Sequence, residues 1–326
     1  MTDALVSVVI PTYDRPELLA RAVRSVVEQR YEPIELVVVD DASPEPVAKM
    51  LEELPTDSLE AVRCVRHERN RNGAAARNTG IRIASGEYIA FLDDDDVWDP
   101  EFVRAGVAAL ERFGDAYGLV YTGARGVDTS GETVWELTRS ISGDPSRPIL
   151  LGNFVGGFSR VLIRSALVDR AGPIDERFSA WVDWGYYIRL AQHCRFGAIP
   201  EPLVTRYVDH TTRTSHDYWA KLEVSDHLLR TLLLPLASEY GWRYERRVLA
   251  SLYVNLGKWA IVAGEVREAR RWLLKAVTTD PFVPALYPYL GAVIGGERTL
   301  RAARALKRRV SAIDSRTTIS SWHGGD

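Results

Sequence analysis

Residues 88–96 read Tyr88-Ile89-Ala90-Phe91-Leu92-Asp93-Asp94-Asp95-Asp96, an apolar run closed by four carboxylates. A short, almost wholly apolar run predicts a strand buried on both faces. Such strands belong to parallel sheets covered by helices, where ligands bind beyond the carboxyl ends of the strands. The same arrangement occurs twice upstream. Leu5 to Ile10 runs into Pro11-Thr12-Tyr13-Asp14, and Ile34 to Val39 runs into Asp40-Asp41-Ala42-Ser43. Ala61 to Val65 predicts a further strand. Helices are predicted between them. Leu18, Leu19, Ala22, Val23, Val26 and Val27 recur at helical spacing behind Asp14, which has capping-box spacing to Glu17 and is followed by Pro16. Val47–Leu54, Gly73–Ala84 and Pro100–Phe113 are also read as helices. Alternating strands and helices imply right-handed crossovers and a Rossmann-like, mainly parallel α/β sheet flanked by helices.

Beyond residue 116 the pattern changes. Tyr117 to Val134 reads as a hairpin turning at Asp128-Thr129-Ser130-Gly131. Ser159–Ile163, Phe196–Ile199 and Leu203–Val208 read as strands, and Asp183–His193 as a helix. From His216 the chain is predicted to be helical. Within that region, Leu252 to Pro281 resembles a single tetratricopeptide-like helix pair, which cannot form a solenoid alone.

Composition bounds the function. The 326 residues are 46% apolar and 26% charged with a net charge of −3. That excludes global disorder and nucleic-acid binding by bulk charge. Two cysteines, Cys64 and Cys194, are too few for a disulfide scaffold and fit a reducing compartment. The N-terminal apolar run lacks a basic start and a cleavage site. The tract Pro281–Gly296 is broken by Pro284 and Pro288, so no span is expected. A cytoplasmic protein is the expectation. Charge is unevenly spread: residues 241–326 hold 15 basic and 7 acidic residues, against 26 and 37 in the first 240. Arg298, Arg301, Arg304, Lys307, Arg308 and Arg309 lie on a predicted helix with Leu300, Leu306 and Val310. This predicts peripheral contact with an anionic membrane at its inner face, the alternative being a solvated cationic helix.

Four adjacent carboxylates repel one another, and a cation makes them favourable together. Oxygen donors suit Mg²⁺ or Mn²⁺, which take one or two carboxylates and complete their shell with water and phosphates. The run after Leu92 therefore reads as a metal bridge to a diphosphate, or as a solvated turn. Asp40-Asp41 would accept hydrogen bonds from a ribose or base, or cap a helix.

Four motifs appear in order: Val8-Val9-Ile10-Pro11-Thr12-Tyr13-Asp14-Arg15, Val38-Val39-Asp40-Asp41-Ala42-Ser43, Gly73-Ala74-Ala75-Ala76-Arg77-Asn78-Thr79-Gly80, and Phe91-Leu92-Asp93-Asp94-Asp95-Asp96. Together, over roughly Val6 to Tyr207, they resemble family 2 of the inverting nucleotide-sugar glycosyltransferases, which have the GT-A fold. The resemblance implies a GT-A domain over 1–215, with a nucleotide-binding half near 1–115 and an acceptor half near 116–215. A helical, basic C-terminal region follows at 216–326. It implies that Pro11, Thr12 and Tyr13 line the nucleotide pocket, and that Asp41 binds the base with Asp40 as support. Asp93 and Asp94 would lie near ribose and sugar. Asp95 would bind the metal, with His210 approaching the diphosphate or metal. Arg77 would neutralise phosphates or orient carboxylates. The family's Glu-Asp pair at a helix start, which supplies the general base, appears here as Val182-Asp183. Asp183 is retained; the lost Glu bears on acceptor contacts. Trp181 and Trp184 flank it as acceptor platforms or as core.

The implied activity is transfer of a sugar from a nucleoside-diphosphate donor, UDP foremost, to a glycan or lipid-linked hydroxyl. The setting would be cell-surface polysaccharide or glycan assembly. Two other classes stay open. A sugar nucleotidyltransferase would carry a glycine-rich loop after the first strand, and Pro11–Pro16 has no glycine. A non-catalytic sugar-binding scaffold would not need Asp183.

Overall fold

A computed structural model describes residues 4–138, 141–208 and 217–294. The first half alternates as the apolar runs predict: β1 (Val6–Thr12), α1 (Pro16–Val27), β2 (Ile34–Asp40), α2 (Ala48–Glu52), β3 (Ala61–Arg66), α3 (Gly73–Ile83) and β4 (Tyr88–Phe91). Every residue of β1, β2 and β4 is buried, so side chains on both faces are removed from water. Then come β5 (Asp96–Trp98), α4 (Phe102–Phe113), β6 (Tyr117–Val127), β7 (Thr133–Leu137), α5 (Pro148–Leu151), β8 (Val161–Arg164), α6 (Ser165–Ala171), α7 (Val182–Leu190) and β9 (Arg195–Tyr207). The nine strands form one sheet in the order β3-β2-β1-β4-β8-β6-β9-β5, with β7 beside β6. The expected parallel sheet holds across β3-β2-β1-β4. Beyond β4 the sheet is mixed: β8 runs antiparallel to β4 and β6, β6 parallel to β9, and β9 antiparallel to β5.

Several local readings are corrected. Asp14 does not cap α1; it adopts a left-handed φ of 54°, its N–H donates to Ser43 Oγ at 2.9 Å, and Arg15 precedes the helix. The run from Ser159 opens as a 3₁₀ turn (Phe158–Arg160), and β8 starts at Val161. The two strands expected at 196–208 are one. Pro200 and Pro202 interrupt the ladder, but β6 absorbs them with a register shift between Thr122 and Ala124. A side chain at Gly123 would strike the carbonyl oxygens of Pro200 and Glu201.

The C-terminal region comprises α8 (Tyr218–Leu228), a π turn (Leu229–Leu233), α9 (Leu234–Ser238), α10 (Trp242–Ala263), α11 (Val266–Thr279) and α12 (Leu286–Ile294). The predicted helix pair is α10–α11. It packs tightly because Gly257 leaves no room for a Cβ against Leu273, 2.8 Å away. Tyr253 stacks on Trp272 at 5.5 Å. One apolar cluster runs from Val9 and Phe91 through Tyr187 to Leu256 and Leu273, so the helices share the sheet's core on one face. A second cluster fills the other face under α1 and α4. Among the described residues no helix is long and apolar enough to cross a membrane. The basic stretch 298–309 lies outside the described residues.

α3 lies so close to the sheet at Gly80 that a Cβ there would lie 2.2 Å from Val9 Cγ1 in the centre of β1. Neither element can yield without disturbing the strand ends that carry Thr12 and Asp93. Gly80→Ala is therefore expected to destabilise the fold by about 2 kcal/mol, read as a lower urea midpoint at unchanged slope.

Candidate active site

The buried strands set the site's floor. β1 ends at Thr12, β2 at Asp40, and the turn after β4 begins at Asp93. All three project from the same edge because the strands are parallel and in register.

Asp40 and Asp41 do different work. Asp40 accepts Ser43 N–H at 2.8 Å and pairs with Arg66 at 3.0 Å, fixing the turn. Asp41 is buried; one oxygen lies 2.6 Å from His67 Nδ1, and both accept the Arg71 N–H, at 2.9 and 3.1 Å. His67 Nε2 in turn meets Thr79 Oγ1 at 2.8 Å. His67 was invisible in the sequence reading: it stands one residue past β3, and only strand pairing brings it to Asp41. Pro11 is the last-but-one residue of β1, and Tyr13 beside it is 46% exposed, a ring available to a ligand.

The four aspartates divide. One carboxylate oxygen each of Asp93, Asp95 and Asp96 lies within 4.8 Å of the others. Asp94 instead accepts Thr12 Oγ1 at 2.8 Å and Arg15 at 3.2 Å. Burial pushes the Asp94 carboxyl up to about 6, opposed by the Thr12 hydrogen bond and by Arg15. Asp96 is also raised by burial, against the pull of Arg206, whose Nε is 3.2 Å away. The register Asp96↔Arg206 between β5 and β9 makes that pair. Arg206 is thus a member of the cluster that no motif contains, and Asp96 one to which the resemblance assigns no role. Arg77, on α3, pairs with Asp93 and lies over the Phe158 ring at 4.4 Å. Asn72 caps α3 by accepting Ala74 N–H and Ala75 N–H at 2.9 and 3.1 Å, which fixes the helix that delivers Arg77. Arg77 therefore orients a carboxylate in this structure. His210 lies outside the described residues.

Asp183 sits in the first turn of α7, behind Trp181 rather than at the cap position itself. One oxygen accepts Trp184 N–H at 2.8 Å and the other accepts Asn153 Nδ2 at 3.0 Å. Asn153 belongs to a closed loop: its Oδ1 accepts Gly156 N–H at 2.9 Å, and Gly156 needs its φ of 100°. Burial raises the Asp183 carboxyl to about 6. The Trp184 N–H, Arg77 and Arg206 pull it down, and the charge of Asp93 pushes it further up. Asp183 is therefore within electrostatic reach of Asp93, Arg77 and Arg206. Tyr187, one turn along α7, is fully buried with its hydroxyl unpartnered.

The two tryptophans part company. Trp184 is 2% exposed and donates its Nε1–H to Ile149 O at 2.7 Å, so it is a core residue and offers no face to an acceptor. Trp181, left-handed at φ 55° and half-buried, stands edge-on to it at 5.4 Å. Glu176 ties the two halves of the cleft together. It accepts Arg71 at 3.1 Å and Asn78 Nδ2 at 3.1 Å, while Asn78 also brackets Ile174 through both backbone groups.

Residues 7–167 match the family model Glycosyl transferase family 2. Over 215 residues the chain is 27% identical to an uncharacterized glycosyltransferase of Haemophilus influenzae, covering 65% of this chain and 70% of that one. It is 38% identical over 124 residues to the succinoglycan biosynthesis protein ExoW of Rhizobium meliloti, covering 37% of this chain and 39% of that one. It is 38% identical over 99 residues to UDP-Glc:alpha-D-GlcNAc-diphosphoundecaprenol beta-1,3-glucosyltransferase WfgD of Escherichia coli, covering 30% and 38%. Among solved structures, S. aureus TarS 1–349 in complex with UDP-GlcNAc superposes with a TM-score of 0.59 at 17% identity, over 95% of this chain and 91% of that one. Mannosyltransferase PcManGT from Pyrobaculum calidifontis, with GDP-Man and Mn²⁺, superposes with a TM-score of 0.55 at 19% identity, over 95% and 86%. At these identities the likeness to the two structures is one of fold.

Proposed function

This chain belongs to glycosyltransferase family 2, and we propose that it transfers a sugar from a nucleoside-diphosphate donor to a hydroxyl of a glycan or lipid-linked acceptor, with inversion and with Asp183 as general base. UDP is the favoured nucleotide. What carries the reading is the pairing of a raised, loop-held carboxylate at 183 with an aspartate cluster whose Asp93 is within its electrostatic reach. In the transfer the anomeric C–O bond to the diphosphate breaks as a bond to the acceptor oxygen forms. The acceptor proton passes to Asp183, and the nucleoside diphosphate leaves. A carboxylate with a pKa near 6 is ionised at neutral pH yet basic enough to share that proton. Asn153 holds it in orientation, and Trp181 offers a half-buried ring against which an acceptor sugar can pack.

For the donor we propose that Asp41 receives the base, in the pocket formed with Pro11, Thr12 and Tyr13. Asp93 and Asp94 would lie beside the ribose and sugar. A divalent ion, Mn²⁺ or Mg²⁺, fits the cluster because three hard oxygen donors converge there. Asp95, 23% exposed and, among the described residues, ion-paired only with Arg15 at 4.0 Å, would be the ligand open to substrate. Asp96 is buried behind it on Arg206, and Asp93 is shared with Arg77. Such an ion would offset the charge that grows on the departing diphosphate. Arg77 and Arg15 add positive charge on either side of the cluster. A lipid-linked acceptor, as in the name of the Escherichia coli relative, requires work at a membrane surface.

A thermal-shift panel tests the donor half of this reading. UDP with Mn²⁺ is expected to raise the melting temperature by several degrees, and UDP with EDTA to raise it far less. Hydrolysis of the matching UDP-sugar should then release UDP. Release of pyrophosphate would instead identify a nucleotidyltransferase, and binding without turnover a sugar-binding scaffold.

A further inference from the structure

We propose that one end of the C-terminal helical region is a docking surface for an anionic lipid bilayer, formed by Trp242, Phe282 and Tyr287 with Arg243 and Arg246 beside them. These three side chains are 63%, 78% and 55% exposed, and Phe282 is the most exposed large apolar residue described. They are far apart in sequence but meet at one end of the bundle. Trp242 opens α10. Arg246, one turn later, donates from Nε to Thr279 O at 2.8 Å, and Arg247 pairs with Asp280 at 3.3 Å. These contacts staple the start of α10 to the turn between α11 and α12. Phe282 stands in that turn between Pro281 and Pro284, and Tyr287 bonds back to Pro281 O through its hydroxyl.

Three features favour a bilayer over a protein partner. The exposed groups are Trp, Tyr and Phe, the residues that lodge at the headgroup level, where an amphipathic ring sits with one side apolar and the other wet. Arg243 lies 5.4 Å from the Trp242 ring, and Arg246 beside it has no carboxylate partner among the described residues, so cationic groups flank the aromatic tip. Residues 241–294, which carry the patch, hold 8 basic and 4 acidic residues, while the first 240 hold 26 and 37. Anionic lipid attracts such a surface, and the aromatic tip supplies the apolar anchoring that charge alone does not. The patch is also mechanically joined to the acceptor side of the cleft. Tyr244 of α10 bonds Arg147 O, α5 receives Trp184 at Ile149 O, and Asn153 just beyond holds Asp183. Docking there would bring a membrane-borne hydroxyl toward Asp183, although the surface itself is inferred independently of the catalytic reading.

The test is vesicle flotation of the full chain. Vesicles with about 30% phosphatidylglycerol are expected to carry the protein, and pure phosphatidylcholine vesicles to carry little. The triple variant Trp242→Ser, Phe282→Ser, Tyr287→Ser should lose about tenfold in bound fraction on anionic vesicles. Its soluble donor hydrolysis should be unchanged, because none of the three touches the cleft. Arg243→Gln with Arg246→Gln should bind anionic vesicles more weakly than wild type in low salt and lose less of its binding as salt is raised. Undiminished flotation of the triple variant overturns the proposal. So does a wild-type dimer, measured without vesicles, that becomes a monomer in the triple variant, since that outcome makes a second copy of the chain the occupant. Retained transfer in Asp183→Asn with flotation intact would remove the catalytic reading and leave the surface standing on its own.

Discussion

Asp183→Asn is expected to lower the transfer rate by about a thousandfold while leaving donor binding within a factor of a few. The magnitude is that of removing a positioned general base, 10²–10⁴-fold. Asparagine keeps the shape of the side chain and its Oδ1 can still accept the Trp184 N–H, while its Nδ2 would face Asn153 Nδ2 donor to donor, so the change removes the proton acceptor and one hydrogen bond. The pH dependence follows from the same carboxylate. Burial raises it to about 6, so below that pH the base is protonated and inactive. The wild-type rate at saturating donor should rise tenfold per pH unit below pH 6 and level off above it. In Asp183→Asn the residual rate should lack this limb. Stability should move the opposite way. A carboxylate whose pKa is higher folded than unfolded makes the fold less stable as pH rises through that range. At pH 8 the asparagine variant, free of that penalty, should melt no lower than wild type. A variant that melts well below wild type would show that the lost activity came from a damaged fold. Retained transfer with an unaltered pH limb would remove Asp183 from the mechanism.

The parallel half of the fold was legible because its strands are buried on both faces and announce themselves as unbroken apolar runs. The carboxylates that close those runs were legible for the same reason. What escaped depends on pairings between distant segments. Arg206 reaches Asp96 only because β5 and β9 pair in one register, and the two prolines in β9 disguised that strand as two. His67 joins Asp41 across neighbouring strand ends. Asn153 is a lone loop asparagine thirty residues from the carboxylate it holds. Trp184 illustrates a different limit. Two tryptophans around an aspartate predict equally well a sugar platform or core, and only the direction of α7 turns one inward to Ile149. Asp14 had capping-box spacing, yet its N–H is committed to Ser43 across the cleft edge, and that tertiary contact overrides the local signal.

Asp95→Ala is expected to abolish the part of donor affinity that depends on a divalent ion. Four aspartates follow Leu92, and their environments differ enough to separate their roles. Asp96 is 2% exposed and compensated by Arg206; its removal would leave a half-buried guanidinium without that partner, so its loss of activity would be confounded with loss of stability. Asp93 is shared with Arg77. Asp94 faces Thr12 and Arg15. Asp93 and Asp95 are similarly half-buried, but Asp93 carries the Arg77 ion pair, whereas no hydrogen bond of the described residues depends on the Asp95 carboxylate, so alanine there should leave the melting temperature of the free protein nearly unchanged. Substituting groups that merely support metal ligands costs 10–100-fold, so losing a ligand should weaken UDP binding in Mn²⁺ at least about a hundredfold. Binding in EDTA should scarcely change, or should improve slightly, because one negative charge facing the diphosphate is gone. Titration calorimetry of UDP against wild type and Asp95→Ala, with and without Mn²⁺, measures all four affinities and gives the coupling between ion and carboxylate directly. Equal weakening in both conditions would mean that Asp95 shapes the pocket without holding an ion. An unchanged Mn²⁺ dependence would move the ion elsewhere in the cleft.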